Sequence, residues 1–300
     1  MTFSVNPYPR SVNSDRRTFI ATLGAATLGA FTGWRDEDAP VVAAHPFQRL
    51  GLQLYTVRTE MERDMERTLT RIAQIGYREV EFAGYFGRSP AQVRALLAAR
   101  GLTSPSTHVP YAELTGANWQ RALDDAKAAG HQFVTIPWLA PADRATLDGW
   151  RRVADALDRG GELAKAAGLR LAYHNHDFEL MPVEGQLPLD VLLANTDPAL
   201  VSFELDLYWM VRAGQAPLDY LARHPTRITM LHVKDSAGPP AHRMVDVGQG
   251  RIDFRTILAR ADRAGVRHAF VEHDQPKDPM TSVRTSYRNL ARVVRALPAR

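Results

Sequence analysis

The stretch KAAGLRLAYHNHDFE, residues 165–179, changes character twice. Its first residues close GGELAKAAG, a run of helical period that stops on Gly168. Glycine is the residue that most readily takes the left-handed conformation ending a helix. LRLAY follows, a short apolar run of strand length. Tyr173 to Glu179 then gather two histidines, two carboxylates and an asparagine directly behind that strand. Helix, glycine, strand and polar cluster together form one unit.

Working outward, the same unit recurs eight times. Short apolar runs fall at 50–55, 79–83, 102–108, 132–137, 169–176, 201–207, 228–234 and 268–273. Between them lie amphipathic segments such as MERTLTRIAQIG, PAQVRALLAARG, WQRALDDAKAAG and FRTILARADRAG, which close on Gly76, Gly101, Gly130 and Gly265. Eight βα units over about 250 residues is the count of a single α/β (β/α)8 TIM barrel. A doubly wound open sheet is the rival. It would ordinarily place a glycine-rich phosphate loop after its first strand, and LQLYTVRTE has no glycine there.

The first 44 residues read differently, and the barrel is assigned to 45–300. SDRRTFIATLGAATLGAFTGW sets Arg16 and Arg17 before a weakly apolar Ala/Gly/Leu stretch, and VVAAH offers small residues for cleavage after Ala44. This resembles a twin-arginine signal peptide with a short linker. The stretch is too short and too weakly hydrophobic for a stable membrane anchor. The plain alternative is a basic tail. As a signal it implies handling by the twin-arginine export machinery and a periplasmic or otherwise exported protein. The chain has no cysteine, which excludes disulfides, thiolate metal sites and a cysteine nucleophile and fits an oxidising compartment. A formal charge of +4, with no basic run interleaved with aromatics, argues against a nucleic-acid partner. Nothing in the sequence sets an oligomeric state.

In a barrel of this kind the chemistry gathers at the C-terminal ends of the strands. Those ends carry Gln53 and Tyr55, Glu81, His108, His174 and His176, Glu204 and Asp206, His232 and Lys234, and Glu272 and Asp274. The two-residue period of a strand gives each pair a common face. Singly, each is a solvated rim group as readily as a ligand. Together, so many ionisable groups in one mouth would each cost several kcal/mol unless paired or bound to a cation. His174, Asp206, His232 and Glu272, one from each of strands five to eight, form a mixed imidazole and carboxylate set. That set suits one divalent metal ion, with Mn²⁺, Co²⁺ or Zn²⁺ expected ahead of Mg²⁺.

GLQLYTVR, YHNHDFE, ELDLYW, LHVKD, VGQGRIDF and VEHD, in this order from Leu50 onward, resemble the xylose isomerase-like TIM barrels usually called sugar phosphate isomerases/epimerases. In that family the metal is typically held by Glu, Asp, His and Glu from strands five to eight. The resemblance puts His174 where the usual Glu stands, while Asp206, His232 and Glu272 match in type. Exchanging carboxylate for imidazole removes a negative charge and favours softer ions. Trp209 stands where several relatives carry histidine. YHNH is closer to the inosose dehydratase branch.

The resemblance implies proton abstraction beside a carbonyl through an enediolate. Candidate acids and bases are His176, Lys234, Glu81 and Glu204, with Gln53, Tyr55, His108 and Trp209 around the substrate. His176 is expected to be the main proton carrier, because an ordinary imidazole titrates near working pH. The expected activity is a divalent-metal-dependent sugar isomerase/epimerase acting on an unphosphorylated sugar or keto-sugar, since export removes the protein from most phosphorylated sugars. The alternatives are a metal-dependent lyase or dehydratase on a keto-sugar or 3-keto-glycoside, and a non-catalytic sugar-binding barrel. An endonuclease would need a basic nucleic-acid-facing surface and more metal ligands.

Overall fold

The computed structural model describes residues 46–298. Eight parallel strands close into a barrel: β1 (Gly51–Gln53), β2 (Glu79–Phe82), β3 (Thr103–His108), β4 (Phe133–Ile136), β5 (Arg170–His174), β6 (Val201–Asp206), β7 (Ile228–Val233) and β8 (His268–Val271). Each strand pairs with its neighbours in chain order, and β8 closes on β1. The expected TIM barrel is therefore the fold. The signal peptide, and the boundary placed after Ala44, lie outside the described residues. Among the described residues no helix is long and apolar enough to cross a membrane.

All eight expected runs form strands, and each strand is shorter than its run. The trimming is local chemistry. The Gln53 side chain accepts the Tyr55 N–H at 3.0 Å and turns the chain into a short 3-10 helix, so Tyr55 leaves the ladder. Asp206 Oδ1 accepts the Tyr208 and Trp209 N–H groups at 2.9 and 3.0 Å, capping the helix Leu207–Arg212 immediately after β6. β5 ends at His174, and His176 stands in the loop that follows.

Helix ends behave as their glycines predict. Gly130 and Gly265 close the helices Trp119–Ala129 and Phe254–Ala264 in the left-handed conformation. Inside the barrel, Phe133, Ala172, Met230 and Phe270 form a small apolar plug. Gly51 is required beside it, because a Cβ there would collide with the Phe270 ring. Ala172, Met230 and Phe270 precede His174, His232 and Glu272 by two residues each, so strand alternation lifts a polar layer directly above the plug.

One loop adds structure at the mouth. Asp235–Ser236 pairs antiparallel with Met244–Val245. The Asp235 carboxylate accepts the N–H groups of Ser236, Gly248, Gly250 and Ile252 at 2.8, 2.9, 2.9 and 3.2 Å. The VGQGRIDF motif is thus a loop folded around a buried carboxylate.

Candidate metal centre

Parallel register assembles the site. Gln53 is opposite Glu81, His174 opposite Glu204, and Asp206 opposite His232. His232, fully buried, presents its two nitrogens to two different groups of carboxylates. Nε2 lies 2.7 Å from Glu81 Oε2 and 3.0 Å from Glu204 Oε2, while Nδ1 lies 2.7 Å from Glu272 Oε2 and 3.9 Å from Asp206 Oδ2.

On the Nε2 side, His108 Nε2 sits 3.2 Å from Glu81 and 3.1 Å from Glu204, and Gln53 Nε2 donates to Glu81 at 2.6 Å. Burial would raise the Glu81 carboxyl, but His108 and His232 hold it well below the usual range. Burial pulls His108 down, and the Glu81 and Glu204 carboxylates overcome it and carry the imidazole up to about 9. His232 is also drawn well above an ordinary histidine, against its burial, by Glu204, Glu272 and Glu81. His174 behaves oppositely. Burial, then the neighbouring His232 and His176 rings, keep it well below the ordinary value, so it is neutral and has a lone pair to offer.

On the Nδ1 side, the Lys234 ammonium lies 3.1 Å from Asp206, 2.8 Å from Glu272 and 2.8 Å from Asp274. These carboxylates hold the lysine charged in spite of its burial. Burial raises Asp206 to about 6 even though Lys234 and His232 pull it down, whereas Lys234 and His232 outweigh burial at Glu272 and lower it.

The donor set fits a divalent cation. Asp206, His232 and Glu272 each offer an atom within 4.8 Å of the others, and so do His108, His174, Glu204 and His232. Asp206 Oδ1 is occupied by the helix cap, but the buried Oδ2 makes no hydrogen bond of good geometry, nor do His232 Nδ1 and His174 Nδ1. Three of the four expected ligands therefore share one group. His174 falls in the adjoining one and reaches the first with Nε2 at 3.9 Å from Asp206 Oδ2.

Above this floor opens a cavity of about 510 Å³, in the size range of small-molecule sites. His108, His174, His176, Lys234, Glu272 and Asp274 line it, with Tyr55 at the rim. Gln53, Glu81, Glu204, Asp206 and His232 are fully buried behind these groups and do not line it. Trp209 also stands behind the wall, its ring centroid 5.4 Å from that of His176 and 5.8 Å from Lys234 Nζ. His176 corrects one expectation. Burial, then the Lys234 charge, push it down to about 3, so it is a neutral imidazole and not one poised near working pH.

Other positioning residues escaped the sequence reading. Asn175 Oδ1 accepts the Asp206 N–H at 3.0 Å and ties β5 to β6. Glu179 accepts the Tyr173 hydroxyl at 2.6 Å and the His176 N–H at 2.8 Å, fixing the loop that carries His176. Asp274, seen as a strand-end acid, is a partner of Lys234. The only signal in the sequence was the density of polar residues after each strand.

Comparison with known proteins agrees with this geometry. A family model described as a xylose isomerase-like TIM barrel matches residues 69–296. An inosose dehydratase of Geobacillus kaustophilus (strain HTA426) is 28% identical over 249 residues, spanning 76% of this chain and 73% of that protein. A sugar phosphate isomerase/epimerase structure from Parabacteroides distasonis ATCC 8503 is 26% identical with a TM-score of 0.72, covering 81% of this chain and 93% of that one. At the level of fold alone, a xylose isomerase-like TIM barrel protein from Mycobacterium smegmatis, in complex with magnesium, has 13% identity and a TM-score of 0.63 over 84% of this chain and 98% of that one. The match across most of the barrel places the chain in the xylose isomerase-like TIM barrel family.

Proposed function

We propose that this protein is a divalent-metal-dependent isomerase or epimerase that moves a proton beside the carbonyl of an unphosphorylated sugar or keto-sugar, through an enediolate. The observation carrying this reading is the buried group of Asp206, His232 and Glu272, with His174 Nε2 3.9 Å from Asp206, next to a sugar-sized cavity that His174 and Glu272 line. Those four residues would hold the metal, which supplies Lewis-acid stabilisation of the charge developing on the sugar oxygens. Imidazole in place of a fourth carboxylate favours Mn²⁺, Co²⁺ or Zn²⁺ over Mg²⁺.

The chain's own groups supply the proton transfers. His176, neutral and on the cavity wall, accepts the proton. Its low basicity reflects burial and the Lys234 charge, and its proton affinity rises as negative charge develops on the sugar beside it. Lys234, held protonated by three carboxylates, stands on the same wall as a fixed positive charge. Glu81 and Glu204, expected as acid or base, are better placed to orient His108 and His232, with Gln53 fixing Glu81. His108 and Tyr55 face the sugar, and Trp209 backs His176. The lining has no arginine, and its one lysine is already matched by carboxylates, which favours a neutral sugar over a phosphorylated one.

Elimination from a keto-sugar, as a dehydratase or lyase, is the second reading, favoured by similarity to the Geobacillus inosose dehydratase. Metal-loaded protein incubated in D₂O with a panel of ketoses, inososes and 3-keto-glycosides, followed by NMR, separates the two. Deuterium beside the carbonyl in a single isomeric product supports isomerisation or epimerisation. Release of water or of a second fragment supports elimination. Absence of exchange and turnover with every ion and substrate overturns both. His176→Ala should keep its metal and lose about a hundredfold in rate, the usual worth of a positioned acid or base. The twin-arginine pair supports export to the periplasm. Replacing Arg16 and Arg17 by lysine should leave unprocessed precursor inside the cell, and normal processing of that variant overturns the export reading.

A further inference from the structure

A second cavity, of about 500 Å³, adjoins the first at the C-terminal face of the barrel. Pro110, Pro137 and Trp138 line both, so the two form one continuous cleft. Trp138 stands two residues past the end of β4 and is 48% exposed. Among the described residues no ring, cation or hydrogen-bond partner engages its indole. An exposed indole in the wall of a cleft is a platform for a ring, because its flat apolar face loses water when another flat apolar face covers it.

The chemistry of the two cavities differs. The first is lined by histidines, Lys234 and carboxylates. The second has Tyr111, Ala112 and Ala140 on its walls and Thr115 and Asp143 as polar groups, with no lysine, arginine or histidine. The Asp143 carboxylate, the one charged group of this lining, disfavours phosphate and other anions there and accepts hydrogen bonds from hydroxyls. The Thr115 hydroxyl donates to the Tyr111 carbonyl at 3.2 Å, which leaves its lone pairs to accept as well. This lining suits a neutral ring with an apolar face.

We infer that the substrate is a two-ring neutral keto-glycoside, with the carbonyl-bearing ring above His174 and Lys234 and a second, glycosidically joined ring stacked on Trp138 in the adjoining cavity. The inference rests on the reading of the first cavity as a sugar site. It makes Trp138 the residue that selects glycosides over free monosaccharides.

The test is isothermal titration of the intact metal-loaded protein with glucose, methyl glucoside, cellobiose and phenyl glucoside. At least one of the two-ring ligands should bind about tenfold or more tighter than methyl glucoside, a difference of about 1.4 kcal/mol. An advantage for cellobiose identifies a hydroxylated second ring, and one confined to phenyl glucoside an aromatic ring. Trp138→Ala should bring the ratio close to one, and Trp138→Phe should retain most of it. Equal binding of one-ring and two-ring ligands, or an advantage that survives Trp138→Ala, overturns the inference and leaves the sugar site standing. Failure of all four ligands to bind, glucose included, overturns the sugar-site reading and this inference with it.

Discussion

The two ends of the barrel use the same residue types to opposite effect. At the N-terminal end, His268 Nδ1 lies 2.8 Å from Glu79 Oε2, and the half-exposed Arg49 lies 3.6 Å from the other oxygen of that carboxylate. His131 Nδ1 lies 2.9 Å from the Ser104 carbonyl. At the C-terminal end, five carboxylates (Glu81, Glu204, Asp206, Glu272 and Asp274) surround one ammonium and three imidazoles, almost wholly out of water. Among the described residues, eight buried polar atoms of that mouth lack a hydrogen bond of good geometry: Glu81 Oε1, His174 Nδ1, His176 Nδ1, Glu204 Oε1, Asp206 Oδ2, Trp209 Nε1, His232 Nδ1 and Asp274 Oδ1. The other end has fewer, Thr229 Oγ1, His131 Nε2 and Arg227 Nε among them. One end pairs its charges locally. The other accumulates an uncompensated, desolvated negative charge that costs folding free energy unless a cation binds.

The largest effect that would break this contrast is at the mouth. Asp206→Ala and Glu272→Ala should each lose bound metal and reduce turnover to background while circular dichroism shows a folded barrel. Stoichiometric metal in both variants, by elemental analysis, would show that the charge at the mouth serves another purpose. Below the polar layer, Phe270→Ala should cost about 3–5 kcal/mol, because the ring fills the barrel interior beside Gly51 and Met230. Denaturant melts check this, and a loss under about 1 kcal/mol would mean that the plug is not what holds the barrel together.

At the opposite end, burial holds His131 down to about 4. An unfolded histidine titrates near 6.5, so this contribution is complete above about pH 6.5 and is lost as the pH falls toward about 4, by at most about 3 kcal/mol. Chemical denaturation across that window should show wild type losing stability with acid and His131→Gln losing less. Parallel curves would contradict the assignment. The smallest effect sharpens the comparison. Arg49→Ala breaks a half-exposed pair and two exposed hydrogen bonds, to the Arg78 carbonyl and the Thr103 hydroxyl, and should change stability by no more than about 1 kcal/mol, with metal content and turnover intact.

The βα rhythm, the helix-ending glycines and the polar strand ends were legible from Leu50 onward, and so were most of the charged groups that gather at the mouth. Its internal division was not. Glu204 and Asp206 are two residues apart on one strand and share its inward face, yet Glu204 is tied to the His108 and His232 imidazoles while Asp206 caps a helix with one oxygen and turns the other toward His232 and Lys234. Which neighbour each meets depends on β3 and β7, distant in sequence. His176 was expected to carry an ordinary imidazole pKa, and only the surrounding burial and the nearby Lys234 show that it does not. Nothing in the sequence sets Trp138 apart, because a tryptophan after a strand is ordinarily core, and its exposure follows from where two loops come to rest.

The sequence by itself determined the barrel and the end of it that carries chemistry, since strand and helix periods, glycine caps and the polar residues behind each strand are properties of a few consecutive residues. Tertiary structure decided which polar groups face the cavity, which are sealed behind it, and which imidazoles hold a proton. Those outcomes depend on barrel closure and strand register, which bring groups 151 positions apart, Glu81 and His232, within 2.7 Å in a medium where one neighbouring charge outweighs intrinsic acidity.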